Sequence, residues 1–353
     1  MNKILVFLFF TMHTGILFGQ KDSLKNLSVS AYGEFYYSRD FSDSKSTEKP
    51  NFIYNHKKLN QLSANLLLVR AKYDNKTLRA NLGLMAGDYA KYNLSSEPEL
   101  SRYLYDANIG IRLSDKNNIW LDAGIFPSHI GFESAISADC WTLTRSILAE
   151  NSPYYESGIK MSYTSDSEKL NLAFLILNGW QKIRRPDLIQ NPSFGLQLNY
   201  RISNKLLFNY SNFTGRERLN DIKSIRSFHN LYLQYDLGTK AGLIAGFDFG
   251  TDKFNPDEHG IWLSPVLIVR YEIVKNLSMA ARAELYQDKK QIIIPTNTAG
   301  GFNVSGFSGN INYQINEKIQ FRVEGKLYSS PDRIFDNNLN RNYNMTTSLS
   351  FKI

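Results

Sequence analysis

The chain has almost no cysteine. Cys140 is the only one among 353 residues. No intrachain disulfide can therefore staple the fold, and no cysteine is placed to carry a lipid at a mature N-terminus. Long apolar runs are equally scarce. Past residue 20 the longest is Leu172–Leu177, far short of the roughly 20 residues that a membrane-crossing helix needs. Histidine is sparse as well: beyond the first 20 residues only His56, His129, His229 and His259 remain. No Cys/His cluster has metal-ligand spacing, and no glycine-rich phosphate loop opens a helix. The formal charge of +8 is spread along the chain, so no basic stripe suggests nucleic acid. These absences point to no metal, no cofactor and no nucleic-acid partner.

Aromatics, in contrast, are abundant, with 21 Tyr and 22 Phe. The first residues, "MNKILVFLFFTMHTGILFGQKDS", carry one Lys, an apolar stretch and then small and polar residues. They read as a secretory signal peptide over residues 1–20, and its removal would take Lys3 and lower the charge from +8 to +7. Residues 21–353 show no composition break and read as one domain.

Period-2 alternation runs through that domain. Leu27, Val29, Ala31, Phe35 and Tyr37 share one parity, and Ser28, Ser30, Glu34 and Tyr36 hold the other. The split recurs at Leu78–Leu84, at Ile109–Leu113, at Leu277–Leu285, at Ile319–Leu327 and at Tyr343–Ile353. About sixteen segments of about ten residues result, the strand length that crosses a bilayer when tilted. "NLLLVRAKY" from Asn65 slips in phase and predicts a bulge, with the facing of Arg70 open. The connections alternate too. Short Asn/Gly/Asp/Ser turns fall at Asp74–Asn75, Ser114–Asn117, Thr164–Glu168, Ser203–Asn204, Gly238–Thr239, Lys275–Asn276 and Asn316–Glu317. Longer polar connections are expected at 41–57, 87–102, 127–153, 178–192, 214–226, 251–260, 288–300 and 329–341. Short and long by turns is the layout of a transmembrane antiparallel β-barrel, with periplasmic turns and extracellular loops.

Tyr163, Tyr200, Tyr235, Tyr271 and Tyr313 sit just before short turns, with the apolar parity of their strands. A phenol favours the depth where hydrocarbon meets headgroups, so these five predict an aromatic girdle. Tyr103, Tyr105 and Tyr155 are candidates for the opposite girdle. The other parity carries charge of both signs: Glu34, Arg79, Asp106, Arg112, Asp122, Lys160, Arg201, Asp236, Asp248, Arg270, Arg282, Glu284, Arg322, Glu324 and Lys326. A charge facing lipid costs ~2–4 kcal/mol at mid-membrane. The expectation is a barrel with its apolar side in lipid and these charges on a wet inner wall. Parity alone also fits a secreted soluble β-sandwich with the charges outside.

The longest connection, "PSHIGFESAISADCWTLTRSILAENSP" (Pro127 to Pro153), is too long for an idle loop. "CWTLTRSILAE" within it could form a short helix. Folded inward, Glu133, Asp139, Arg145 and Glu150 would narrow the lumen, and acidic loop residues opposite wall arginines would set a transverse field. The bland alternatives are a solvated outer loop and a plug. In "GTDKFNPDEHG", Asp252, Asp257 and Glu258 lack regular calcium-loop spacing and read as a solvated loop.

"AGIFPSHIGFES", "ENSPYYESGIKMSY" and "LILNGWQ", between Ala123 and Gln181, resemble recurring phrases of the OmpL-like beta-barrel porin family of Gram-negative outer membranes. The resemblance implies passive diffusion through an outer-membrane channel, with the loop after the fifth strand as constriction. Such barrels commonly end on an aromatic that the assembly machinery reads; here Phe351 is third from the end and Ile353 is last. The reading is an outer-membrane porin for small hydrophilic solutes, weakly anion-preferring from its basic excess, lodged in lipid and able to trimerise. Two rivals remain. One is a barrel enzyme of phospholipase type, using the outward His229 with Ser227 two residues away. The other is a plugged barrel with a structural or adhesive role.

Overall fold

The computed structural model describes residues 24–42, 45–187, 189, 191–217, 224–238, 240–255 and 258–353. The leader expected over residues 1–20 lies outside the described residues, as do Thr239 and Asp257.

Each alternating segment becomes a strand, because period 2 puts its Leu, Val, Phe and Tyr on one side of a pleated ribbon. In chain order these are β1 (Leu27–Asp40), β2 (Leu62–Asp74), β3 (Leu78–Ala86), β4 (Leu104–Arg112), β5 (Asn118–Pro127), β6 (Tyr155–Thr164), β7 (Leu170–Leu177) and β8 (Ser193–Ser203). They continue as β9 (Leu206–Gly215), β10 (Arg226–Asp236), β11 (Ala241–Asn255), β12 (Glu258–Val274), β13 (Leu277–Asp288), β14 (Phe302–Gln314), β15 (Ile319–Ser329) and β16 (Arg341–Lys352). Neighbours in sequence are neighbours in space, all antiparallel, and β1 pairs with β16 from Tyr32 opposite Lys352 to Asp40 opposite Asn344. The result is the expected closed barrel. Closure leaves no edge strand, so the ladder satisfies backbone groups that lipid could not. At the seam the Phe351 ring lies over Gly33, in the space a side chain there would need. Helices are confined to connections, as in α1 (Asp88–Asn93) and α2 (Ile147–Glu150).

Exposure decides which face is which. Val29, Val69, Leu82, Ile111, Leu196, Leu267, Ile311 and Leu349 are exposed on the outside, whereas Glu34, Asp106, Arg282, Arg322 and Glu324 are buried inside. A soluble sandwich would reverse the two. Tyr200, Tyr235, Tyr271 and Tyr313 stand exposed on the outer face beside the short turns. Tyr163 is half-buried at the same level.

Four local expectations resolve or change. The bulge lies at Asn65: Glu34 pairs with Leu66 and Phe35 with Ala64, so Asn65 is passed over. Arg70 then faces inward and pairs with Asp106. Tyr105 and Tyr155 are buried and form no part of an outer girdle. The β3–β4 register shifts between Gly83 and Leu84, turning Tyr105 in, and the Tyr155 hydroxyl donates to Glu97 at 3.0 Å. The expected loop at 251–260 is mostly strand. Thr251, Asp252 and Lys253 pair with Ile261, Gly260 and His259, so β11 and β12 rise above the other strands. Beyond the membrane a hairpin needs no apolar face, which is why its polar sequence reads as a loop.

Candidate functional site

The connection from β5 to β6 does not stay outside. It enters the barrel and crosses it. At its base the His129 carbonyl accepts from Gln197 at 2.8 Å and from Ser211 at 2.7 Å, and the Gly131 amide donates to Asn230 at 3.2 Å. The His129 ring meets the Asn212 carbonyl at 2.8 Å through Nε2, which therefore carries the proton. Burial holds its pKa down at about 4. Midway, Phe132 packs edge-on against Tyr232, and Trp141 fills the space over Gly242.

At the far wall the loop's backbone meets a row of charged side chains. Glu324 accepts from the Thr144 amide at 2.5 Å and its hydroxyl at 3.0 Å. Glu284 accepts from the Ile147 amide at 2.6 Å. Arg282 donates to the Thr144 carbonyl at 2.7 Å and to Glu324 at 2.9 Å. Arg322 donates to the Ser137 carbonyl at 2.7 Å, and Lys326 to the Arg145 carbonyl at 2.8 Å. Alternation makes this possible: Arg282 and Glu284, and Arg322, Glu324 and Lys326, share the inner parity of β13 and β15. Ser146 caps α2 by accepting from the Ala149 amide, so "TRSILAE" forms one helical turn at the point of contact.

The loop's own charged residues are tied down as well. Glu133 accepts from the Ser146 amide at 3.0 Å and lies 3.6 Å from Arg282. Arg145 is buried and donates to the carbonyls of Leu143 and Ala135, at 3.1 Å each. Glu150, its pKa raised by burial, accepts from the Tyr54 amide at 2.9 Å and anchors the connection 41–61. Asp139 reaches the rim and pairs with Lys352 at 2.7 Å. Glu133 thus meets the wall at Arg282 and Asp139 meets Lys352, whereas Glu150 turns to residues 54–55 and Arg322 meets loop carbonyls rather than a carboxylate.

The opposite arc is arranged differently. Arg79 clamps Asp122, with Nε at 2.6 Å, in space left free by Gly110. Its guanidinium stands 4.4 Å from the Trp120 ring centroid. Asp106 is taken by Arg70. Arg112 and Lys160 are half-buried on this arc. Beside the loop, a cavity of about 270 Å³ is lined by Tyr105, Ile130, Phe132, Glu133, Tyr154 and Tyr232.

The interior is not uniformly wet, which corrects the expectation of a charged aqueous lumen throughout. Towards the long-loop end Phe126, Leu177, Phe213, Phe228, Trp262, Tyr286, Phe302 and Tyr328 form one buried cluster with loop residues Phe52, Ile53, Ile147 and Ile294. Inward-folding loops need an apolar surface to pack on, and inner positions there supply it. Sequence reasoning missed this layer, although both parities turn apolar in "HGIWLSPV" and "AELYQ". It also missed Lys49, which donates to Thr346 at 2.7 Å. Burial depresses the Lys49 pKa to about 7. Burial likewise raises the Cys140 thiol, so it is a packed group rather than a reactive one. No metal-ligating cluster exists among the described residues.

On the lipid face, His229 Nδ1 lies 2.8 Å from the Tyr210 hydroxyl and Nε2 lies 3.2 Å from Ser227 Oγ.

The sequence pattern of the family described as "Putative beta-barrel porin-2, OmpL-like" matches residues 26–353. The chain belongs to this family. Family and fold point this OmpL-like porin to a channel rather than an enzyme, and to the outer membrane. No curated protein matches its sequence. Solved structures similar to the porin include an anion-selective porin from Comamonas acidovorans, at 10% identity and TM-score 0.61, covering 93% of this chain and 99% of that one. OmpF of Salmonella typhi, solved with daunomycin, gives 10% identity and TM-score 0.62 over 93% and 97% of the two chains. A trimer form of OmpT from Vibrio cholerae gives 10% and 0.58 over 93% and 99%. At such identities the likeness concerns the fold alone.

Proposed function

We propose that this porin passes small hydrophilic solutes across the outer membrane by diffusion, with weak preference for anions. The observation that carries the reading is the inward course of residues 127–153 inside a closed barrel of charged inner wall. A loop held by Glu284, Arg282, Glu324 and Lys326 narrows the passage without a covalent step or energy input. The tyrosine row at the short-turn end anchors the barrel in lipid, and the last strand, with Phe351, is what the barrel-assembly machinery reads. The leader over residues 1–20 is removed on export. The trimer form of one structural neighbour supports a homotrimer.

One observation favours a second reading. The apolar cluster around Trp262 and Phe302 would also suit a barrel kept closed for a structural or adhesive role. Recording from purified protein in planar bilayers separates the two. Discrete, salt-dependent steps support diffusion, and a silent bilayer with correctly folded protein rejects it. The Ser227–His229–Tyr210 contacts give the enzyme rival its test: lipid hydrolysis by the pure protein that disappears in His229→Ala would replace the diffusion reading.

A further inference from the structure

We infer that ion preference is set by Arg112, Lys160 and Arg201 on the β4–β8 arc of the inner vestibule, and not by Arg282, Arg322 and Lys326 of the β13–β15 arc. The inference rests on the diffusion reading and names the residues that give it selectivity, with small inorganic and carboxylate anions as the solute class.

The argument starts from which charges are available. An ion in transit responds to charge that is neither neutralised nor covered. Arg282 is buried within 3.6 Å of three carboxylates, those of Glu133, Glu284 and Glu324. Arg322 is 0% exposed and donates to two loop carbonyls and Asn312. Lys326 is held by Glu284 at 3.4 Å and by the Arg145 carbonyl. These cations hold the loop in place and present no free face to a solute.

On the β4–β8 arc the balance differs. Asp122 is committed to Arg79 and Asp106 to Arg70. Arg112 and Lys160 are half-buried and Arg201 is exposed. None of the three has a carboxylate within 4 Å among the described residues. Register places Arg112 and Lys160 close together on the inner surface: Asp122 lies opposite both Gly110 and Lys160, and Arg112 lies opposite Trp120 in the layer below, while Arg201 keeps the inner parity of β8 at the short-turn end. Further inner charges at the short-turn end are Asp236 on β10, two strands from Arg201, Arg270 and Glu272 on β12, and Lys72 and Asp74 on β2. Arg112, Lys160, Arg201, Lys72 and Arg270 together outnumber Asp74, Asp236 and Glu272, so this set of inner charges at and near the short-turn end is net positive.

The test is reversal potential across a tenfold KCl gradient, with full-length protein refolded into planar bilayers. Each variant is first checked for the heat-dependent gel mobility of a closed barrel. Wild type is expected to favour chloride. The double variant Arg112→Gln/Lys160→Gln should lower the chloride-to-potassium permeability ratio by about threefold per charge removed, as expected for unit charges near an aqueous path. Lys160→Glu should carry the ratio towards potassium. A folded, conducting double variant with the wild-type ratio overturns the inference while leaving diffusion intact. So does a larger shift from Lys326→Gln than from Lys160→Gln. A folded wild type without conductance steps removes both readings.

Discussion

Removing the Glu324 carboxylate should free the interior loop without unfolding the barrel. In Glu324→Ala the Thr144 amide and hydroxyl lose their acceptor, and Arg282 loses one of three carboxylates. Deleting one partner of a buried ion pair costs about 3–5 kcal/mol. Arg282 keeps Glu284 and Glu133, so the lower end applies, about 3 kcal/mol or roughly 150-fold in the opening equilibrium of the loop. The barrel ladder is untouched, since Glu324 lies in β15 with its backbone paired to Asn310 and Thr346 on either side. Arg145 supplies the assay. It is the only Lys or Arg between Pro127 and Pro153, and it is fully buried. Trypsin acting on the folded protein in detergent should leave the Arg145 bond intact in wild type and cut it about two orders of magnitude faster in the variant. Cleavage of wild type at Arg145 as fast as at the exposed Arg184 would refute the docked loop. Equal rates in variant and wild type would refute the role of Glu324.

Acid should loosen the base of the same loop. His129 has a pKa of about 4 when docked against an ordinary value of 6.5, so between those values the released loop binds more protons and docking weakens as pH falls. The stabilisation that His129 contributes is fully present above 6.5 and lost by about pH 4; hydrogen exchange of residues 128–132, corrected for intrinsic rate, should show this, and His129→Gln should flatten the dependence. Gly124→Ala should sharply reduce refolding yield, because φ is +126° and a methyl would overlap the Ala107 carbonyl, a strain of about 1–3 kcal/mol before the overlap is counted. Gly309→Ala, which meets open space on the outer face, should refold like wild type in the same gel assay. Phe351→Ala uncovers Gly33 at the β1–β16 seam; with lipid on the outside only packing contact is lost, so urea titration in detergent should register about 1 kcal/mol.

The fold was legible in the sequence because a barrel in lipid imposes a period of two on every strand. Leu27, Val29, Ala31 and their counterparts have no choice of side, since a slip of one residue would place Glu34 or Arg322 in hydrocarbon. The same constraint made the position of the long inward loop readable, because its length had no other use in so compact a layout. What could not be read was the loop's path. Which carbonyl Arg322 meets, or which amide Glu284 takes, depends on contacts more than one hundred residues apart in sequence, and no local pattern encodes them. For that reason a count of inner charges misleads: Arg282 and Lys160 look alike in sequence, yet one is locked among three carboxylates and the other has its ammonium over the Phe126 ring with no ion-pair partner among the described residues. Tyr105 fails for a related reason. A bulge reverses its parity, and with Tyr103, Leu104 and Tyr105 all apolar no phase slip marks it, unlike the one at Asn65. The apolar layer around Trp262 was legible only in part. In a period-2 pattern an apolar residue on the inner parity looks like noise until the loops that cover it are in place. The inner wall therefore has two jobs that alternation cannot separate: packing the loops that fill the long-loop half, and presenting charge to what passes through the rest. Only burial tells them apart, and burial belongs to the folded chain.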